Sequence, residues 1–172
     1  MATLLDRLRV TYQPLRAEDF QAVQFNEIIE DVRGLLATHL RHASIAFDFH
    51  ADVDLPTIAG QGDQLKQVML NLFMNAVEAM PDGGSLEVST KWLEKQREIL
   101  VTVADTGKGI DRDLLPLIFE AFITNKEKGT GLGLAISSEI VHKHGGRIQA
   151  QNRPEGGASF HLWLPVKNGG VR

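Results

Sequence analysis

No cysteine occurs among the 172 residues of the sequence, which excludes a disulfide framework and a thiolate-ligated metal site. Long apolar runs are also absent. None reaches the roughly 20 residues of a membrane-spanning helix, and the first residues, MATLLDRLRV, lack the layout of a signal peptide. We therefore expect a cytoplasmic domain that does not itself insert into a membrane, and leave open whether a longer parent protein is membrane-anchored.

Stretches of basic residues are missing as well. The chain has 18 Lys and Arg against 22 Asp and Glu, a formal net charge of −4, and no basic block or stripe. This argues against a nucleic-acid-binding surface, so we expect no nucleic acid partner. Hydrophobic residues make up 43% and charged residues 23%, as in ordinary globular proteins, and the length suits one compact domain.

Hydrophobic periodicity predicts a mixture of helices and strands. Helical spacing occurs over residues 26–41, with Asn26 as the expected N-cap, over 63–80, and from the glycine-rich stretch 129–133 to about His144. Alternation predicts strands at 44–50, 57–59, 85–92, 98–104, 147–151 and 159–165, and a helical turn is expected near 111–115. Helices interspersed with sequential, hairpin-like strands predict an α+β fold, a two-layer α/β sandwich.

The first residues carry a short helical pattern of their own. Leu4, Leu5, Leu8 and Tyr12 lie on one side of it, and Pro14 ends it. Because so short a helix is marginal in water by itself, we interpret residues 1–15 as the tail of a truncated helix with a linker. Residues 16–172 then form the functional domain.

The predicted helix 63–80 is apolar almost all the way round, yet polar residues interrupt it along one narrow stripe. Gln67, Asn71, Asn75 and Glu78 fall within an arc of about 80° at about 100° per residue. The stripe could simply face water. Two asparagines one turn apart among large hydrophobic residues favour the wall of a polar cavity instead, where amide oxygens could ligate Mg²⁺.

Two glycine-rich segments follow. Residues 105–110 read DTGKGI directly after a predicted strand, so the Asp105 carboxylate could accept a hydrogen bond from an adenine amino group, although a simple turn explains the pattern too. Residues 129–134 read GTGLGL and open a helix, which is typical of an anion site, with Lys126 and Lys128 just upstream. The spacing fits neither a dinucleotide-binding fingerprint nor a P-loop.

Taken in order, these segments resemble the histidine-kinase branch of the ATPase superfamily that also contains DNA gyrase B, Hsp90 and MutL. Residues 71–76 resemble its N box, 105–110 its G1 box, 119–122 its F box and 129–134 its G2 box. The resemblance covers roughly residues 20–166. It implies the Bergerat fold of that superfamily, a mixed sheet of about five strands against three helices.

The resemblance also implies residue roles. Asn75 would ligate Mg²⁺, Asp105 would bond the adenine amino group, and Gly107 and Gly109 would let the base lie against the backbone. Asn71, on the central helix, and Lys126 would support the phosphates as the catalytic pair. The segment from Phe122 to Lys128 would form a mobile lid that carries Lys126. The implied ATP-binding set is Asn71, Asn75, Glu78, Asp105, Gly107, Gly109, Ile110, Phe122, Lys126, Lys128, Gly129, Thr130, Gly131, Leu132 and Gly133.

Position 71 separates the branches of this superfamily. The gyrase, Hsp90 and MutL ATPases place a glutamate there to activate water, whereas asparagine cannot act as a general base. A histidine acceptor supplies its own nucleophile, so Asn71 favours transfer of the γ-phosphoryl group from Mg·ATP to histidine, in two-component signalling with a response regulator downstream. A nucleotide-dependent switch without transfer, or a self-sufficient ATPase, are the alternatives.

The acceptor itself is not found in the sequence. In the resembling kinases it lies on a dimerisation domain just upstream and is followed by an acidic residue, a pattern that no histidine here matches. We expect each of them to be a surface or packing residue. Residues 1–15 would then be the tail of the truncated dimerisation helix, and residues 16–172 the ATP-binding catalytic domain, unable to autophosphorylate alone. The six histidines are His39, His42, His50, His142, His144 and His161.

Overall fold

The computed structural model describes residues 19–124 and 129–167. The predicted tail over residues 1–15 lies outside these described residues. The helices are α1 (Phe25–His42), α2 (Gly62–Ala79) and α3 (Gly133–Lys143), with a short 3-10 helix at Leu115–Leu117. The strands are β1 (Gln21–Val23), β2 (Ile45–His50), β3 (Ile58–Gly60), β4 (Gly84–Leu93), β5 (Glu98–Asp105), β6 (Arg147–Asn152) and β7 (Ala158–Pro165).

Five strands form one mixed sheet in the order β2-β4-β5-β7-β6. β2 pairs parallel to β4, and the remaining neighbours pair antiparallel. The parallel pair follows from the connection, because α2 lies between β2 and β4 in the chain and a parallel pairing needs such a crossover. The predicted α+β sandwich of five strands and three helices is confirmed.

The core lies between this sheet and the helices, with α2 packed against both α1 and α3. α2 buries a nearly continuous apolar surface, as its periodicity predicts. Its Phe73 meets Phe47 of β2 edge to face, with ring centroids 5.5 Å apart. The fully buried side chains of α2 and the sheet include Leu65, Val68, Met69, Leu72, Phe73, Leu86, Val88, Ile99, Val101, Leu162 and Leu164. This packing fixes α2, and with it the polar stripe on its remaining side.

A second, two-stranded sheet was not predicted. β1 pairs antiparallel with β3, with Val23 opposite Ile58 and Gln21 opposite Gly60. The segment 57–59 was expected to be a strand, but its partner β1 was missed because three residues are too few to show alternation.

The predicted N-cap of α1 is wrong. The helix begins at Phe25, and the side chain of Gln24 accepts a hydrogen bond from the Asn26 amide at 3.4 Å. The Asn26 side chain instead donates to the Asp52 carbonyl (2.9 Å) and accepts from the Thr90 hydroxyl (2.7 Å). Asn26 therefore ties α1 to the loop after β2 and to β4, contacts that no local pattern reveals.

His144, at the end of α3, is a buried packing residue with 3% of its surface exposed. Its Nδ1 lies 2.8 Å from the Ile140 carbonyl, and its Nε2 accepts a hydrogen bond from the Gln61 amide at 3.0 Å. These partners fix the neutral tautomer with the proton on Nδ1. Burial lowers the pKa of His144 below its ordinary value of 6.5. The ring thus joins the end of α3 to the start of α2.

Within residues 19–124 and 129–167, no helix combines the length and apolar character needed to cross a bilayer.

We predict that folding stability falls as the pH drops below about 6.5, the ordinary pKa of histidine. There the unfolded chain binds a proton at His144 that the folded protein does not bind. The loss is at most about 1.4 kcal/mol per pH unit for each such histidine. Urea denaturation between pH 7.5 and 5 measures the slope, which should be shallower in His144→Gln. Equal slopes in the two proteins would contradict the prediction.

Candidate functional site

A cavity of about 380 Å³ opens between α2, the start of α3 and the loop that follows β5. This volume suits a small organic ligand. α2 presents Asn71, Asn75 and Glu78 to it, as the stripe predicts, whereas Gln67 is not on the described part of its wall. The polar side of α2 therefore forms one wall of the cavity.

Asp105, the last residue of β5, lies at one end of this cavity and is 4% exposed. Its Oδ1 accepts hydrogen bonds from the amides of Gly107 (2.8 Å) and Ala158 (3.4 Å). Among the described residues both of these bonds fall on the same oxygen. The second oxygen is thus available to a donor on a ligand.

Burial raises the pKa of the Asp105 carboxyl above its ordinary value, while its amide hydrogen bonds and the positive charge of Arg153 oppose that rise. The Arg153 guanidinium does not bond the carboxylate, since it donates to the Asp105 backbone carbonyl at 3.1 Å. A carboxylate held in a buried position beside an open cavity is typical of a binding site.

The loop after Asp105 rests on the end of α2. The Lys108 amide donates to the Ala79 carbonyl at 3.2 Å, and a Cβ at Gly107 would lie 2.4 Å from that same oxygen. Gly107 therefore permits a close approach to α2. The residues of this loop that line the cavity are Lys108, Gly109 and Ile110.

The other end of the cavity is formed by the first turn of α3. Asn71 Nδ2 donates to the Gly133 carbonyl (3.1 Å) and to the Ser137 hydroxyl (3.2 Å), so the asparagine stripe holds this turn in place. The N-cap residue, Leu132, offers no polar side chain to the helix amides. Free amides at a helix N-terminus attract anions, so this end suits phosphate.

The glycine-rich segment before α3 folds back onto the loop that precedes it. The Phe122 amide donates to the Gly131 carbonyl at 2.9 Å, and a Cβ at Gly131, where φ is 67°, would lie 2.6 Å from the Phe122 carbonyl carbon. Because residue 131 is a glycine, its backbone can lie in direct contact with the backbone of Phe122. Gly129, Thr130, Gly131 and Gly133 line the cavity.

Three described residues of the predicted binding set are not among the residues that line the cavity. Gly107 faces α2, Leu132 is buried in the core, and the Phe122 side chain is 73% exposed. Lys126 and Lys128 lie outside the described residues, so their predicted roles stay predictions.

Several wall residues were not predicted. Lys108 and Leu134 lie in the two glycine-rich segments, whereas most of the others are apolar residues outside any motif. The apolar residues give the cavity surfaces suited to a flat aromatic base. The wall residues that were not predicted are Leu70, Met74, Ala79, Lys108, Leu114, Ile118, Ile123, Thr124, Leu134, Ala158 and Phe160. Asn152 and Arg153, at the turn between β6 and β7, hold the loop from behind and were also missed, because their partners lie more than 40 positions away.

The comparisons with known proteins agree with this geometry. A family of proteins described as histidine kinase-, DNA gyrase B-, and HSP90-like ATPases matches residues 60–168 of the chain. The chain belongs to this family. The match runs from the start of α2 to the end of β7 and so contains every element that borders the cavity. Domains of this family bind ATP.

Curated relatives of this ATPase-family domain are named as kinases, among them a sensor histidine kinase. Sensor histidine kinase ZraS of Escherichia coli K12 is 37% identical over 166 residues, 96% of this chain and 34% of the relative. Sporulation kinase A of Bacillus subtilis is 37% identical over 164 residues, 95% of this chain and 27% of the relative. The chain thus spans between a quarter and about a third of the length of these relatives.

Solved structures place the domain among histidine kinase catalytic domains. The nucleotide-free catalytic domain of histidine kinase ThkA matches with a TM-score of 0.78 and 33% identity, over 85% of this chain and 95% of that one. ThkA in complex with the response regulator TrrA matches with a TM-score of 0.75 and 29% identity, over 86% and 42% of the two chains. Full-length ShkA with AMPPNP matches with a TM-score of 0.81 and 26% identity, over 96% and 35%.

We predict that Gly107→Ala destabilises the domain by about 1–3 kcal/mol, because its Cβ would collide with the Ala79 carbonyl and force the loop off α2. Gly34→Ala is the matched control. Gly34 is an exposed residue of α1 with open space around it, so the substitution should be neutral or stabilise by up to about 1 kcal/mol. Urea denaturation measures both, and equal effects would contradict this role of Gly107.

Proposed function

We propose that the domain binds Mg·ATP in the cavity and donates its γ-phosphoryl group to a histidine on a separate dimerisation domain. The observation that carries the proposal is the pairing of two ends in one cavity. A buried carboxylate, Asp105, lies at one end, and the uncapped first turn of α3 lies at the other. A nucleotide has complementary groups in the same order, a donor on its base and anionic phosphates.

At the base end, the amino group of adenine would donate to Asp105. The apolar wall residues Met74, Ile110 and Phe160 would cover the faces of the ring. A hydrogen bond to an ionised acceptor inside a cavity is stronger than one to water-exposed groups, so this contact would select the base as well as bind it.

At the phosphate end, the amides of the first turn of α3 would bind phosphate oxygens, with Lys126 beside them as the resemblance implies. The described residues contain no group of three or more His, Cys, Asp or Glu that could hold a metal ion. That fits Mg²⁺, which takes few protein ligands and keeps phosphate oxygens and waters around it. Asn75, on the cavity wall, would supply a protein oxygen to this ion. When bound, the ion would neutralise phosphate charge.

The chemistry would rest on positioning, because position 71 lacks a general base. Asn71 is engaged with α3 through its amide nitrogen. α2 does place a carboxylate on the described wall, that of Glu78, but this residue is seven positions after Asn71, about 10 Å along the helix axis toward the base end. The protein would therefore orient the phosphoryl group for an acceptor that brings its own nucleophile.

The acceptor and the signalling partner would come from outside the domain. Among the described residues His39, His42, His50 and His142 are exposed, His161 is half-buried and His144 is buried. None has the sequence context of an acceptor. By analogy with ZraS and with the ThkA–TrrA complex, we propose a dimerisation domain carrying the histidine and a response regulator downstream.

Phosphotransfer tests the proposal directly. The domain, mixed with a histidine-bearing dimerisation domain and γ-labelled ATP, should produce acid-labile phosphohistidine. Asp105→Asn should reduce labelling at limiting ATP by about tenfold, since an amide there would present a second donor to the base amino group. Asp113→Asn, an exposed position beyond the loop, is the matched control and should label normally.

The alternatives give different results in the same assay. Tight ATP binding without any label on folded partners would favour a nucleotide-dependent switch. Steady phosphate release from the isolated domain would favour an independent ATPase. Either result would contradict the proposed transfer.

A further inference from the structure

Asn152, at the start of the turn between β6 and β7, binds Ile110, the last residue of the glycine-rich loop that follows β5. Asn152, the last residue of β6, accepts a hydrogen bond from the Ile110 amide through Oδ1 at 2.7 Å. Its Nδ2 donates to the Ile110 carbonyl, also at 2.7 Å. One side chain thus satisfies both backbone groups of a residue 42 positions away.

The same turn also binds Asp105, the residue from which this loop starts. Arg153 donates to the Asp105 carbonyl at 3.1 Å, and its guanidinium is held in turn by Glu155 at 2.6 Å. The Ala158 amide, at the start of β7, approaches Asp105 Oδ1 at 3.4 Å. The turn therefore holds residues 105 and 110 together, and the segment between them follows.

The loop backbone is shaped to receive the Asn152 side chain. Gly109 has a φ of 74°, and a Cβ at this position would lie 2.9 Å from Asn152 Oδ1. Any other residue at position 109 would push the amide away from Ile110. Gly109 and Ile110 line the cavity, whereas Asn152 is not on its described wall.

We infer that Asn152 is a positioning residue that sets the preference of the site for adenine. It acts through Ile110, by holding residues 109 and 110 where the base must lie for its amino group to reach Asp105. The inference rests on the proposed ATP binding and adds to it the residue that controls base selectivity.

The effect should fall on the base and spare the phosphates. Hydrogen bonds weaken steeply as their angle departs from linear, so a small shift of the loop would reduce the contact between Asp105 and the base. The phosphate end is built on a different contact, between Asn71 and the first turn of α3.

The experiment compares ATP with inosine triphosphate, whose ring carries an oxygen where adenine carries the amino group. Both are titrated, with Mg²⁺, into the unmodified domain and into Asn152→Ala. The unmodified domain should prefer ATP, and the variant should lose about tenfold of that preference, roughly one hydrogen bond. Gln149→Ala, on the same strand but exposed, is the matched control and should keep the preference.

The outcomes separate this inference from the proposed function. If the unmodified domain prefers ATP but Asn152→Ala weakens both nucleotides equally, or neither, the positioning role is overturned and ATP binding stands. No preference in the unmodified domain would overturn the role of Asp105 and this inference with it. Should Asn152→Ala fail to fold, Asn152→Asp keeps the acceptor for the Ile110 amide but places an oxygen against the Ile110 carbonyl. It should also reduce the preference, and an unchanged ratio would overturn the inference.

Discussion

The contact between Asn71 and the first turn of α3 is the interaction on which the rest of the site depends. Through Nδ2, Asn71 binds both the Gly133 carbonyl and the Ser137 hydroxyl, so the central helix of the core holds the N-terminus of α3 over its own polar stripe. Because α2 is fixed by burial against the sheet and both other helices, this turn inherits a defined position. The polar contact between the two helices therefore lies at the wall of the cavity.

The opposite end of the cavity is held from two sides. The C-terminal end of α2 contacts residues 107 and 108. On the other side of the loop, Asn152 and Arg153 hydrogen-bond the backbone of Ile110 and Asp105. Burial raises the pKa of the Asp105 carboxyl. The Gly107 and Ala158 amides orient this carboxylate, and within residues 19–124 and 129–167 no cationic side chain bonds it directly. The α+β sandwich thus brings α2, the loop after β5 and the first turn of α3 together around one cavity.

The sequence alone carries most of the fold and part of the site. The polar stripe on α2 could be predicted because helix periodicity places Asn71, Asn75 and Glu78 on one side of the helix. The family resemblance predicted the five-stranded sheet. The features that the sequence did not reveal are either too short to carry a pattern or depend on contacts between distant residues. β1 is too short to alternate, Asn26 bonds a distant loop instead of capping α1, and Asn152 acts across 42 positions. The role predicted for Gly107, which is to let the base lie against the backbone, stays a prediction. The close approach of Gly107 to the Ala79 carbonyl depends on tertiary packing that the sequence does not show.

The central claim is that one cavity takes the base at Asp105 and the phosphates at the first turn of α3. A crystal structure of the domain with Mg²⁺ and a non-hydrolysable ATP analogue tests it most directly. We expect the adenine amino group within hydrogen-bond distance of Asp105 and phosphate oxygens on the amides of residues 131–134, with the metal ion beside Asn75. A nucleotide bound elsewhere, or bound in this cavity with its base at the α3 end, would contradict the account.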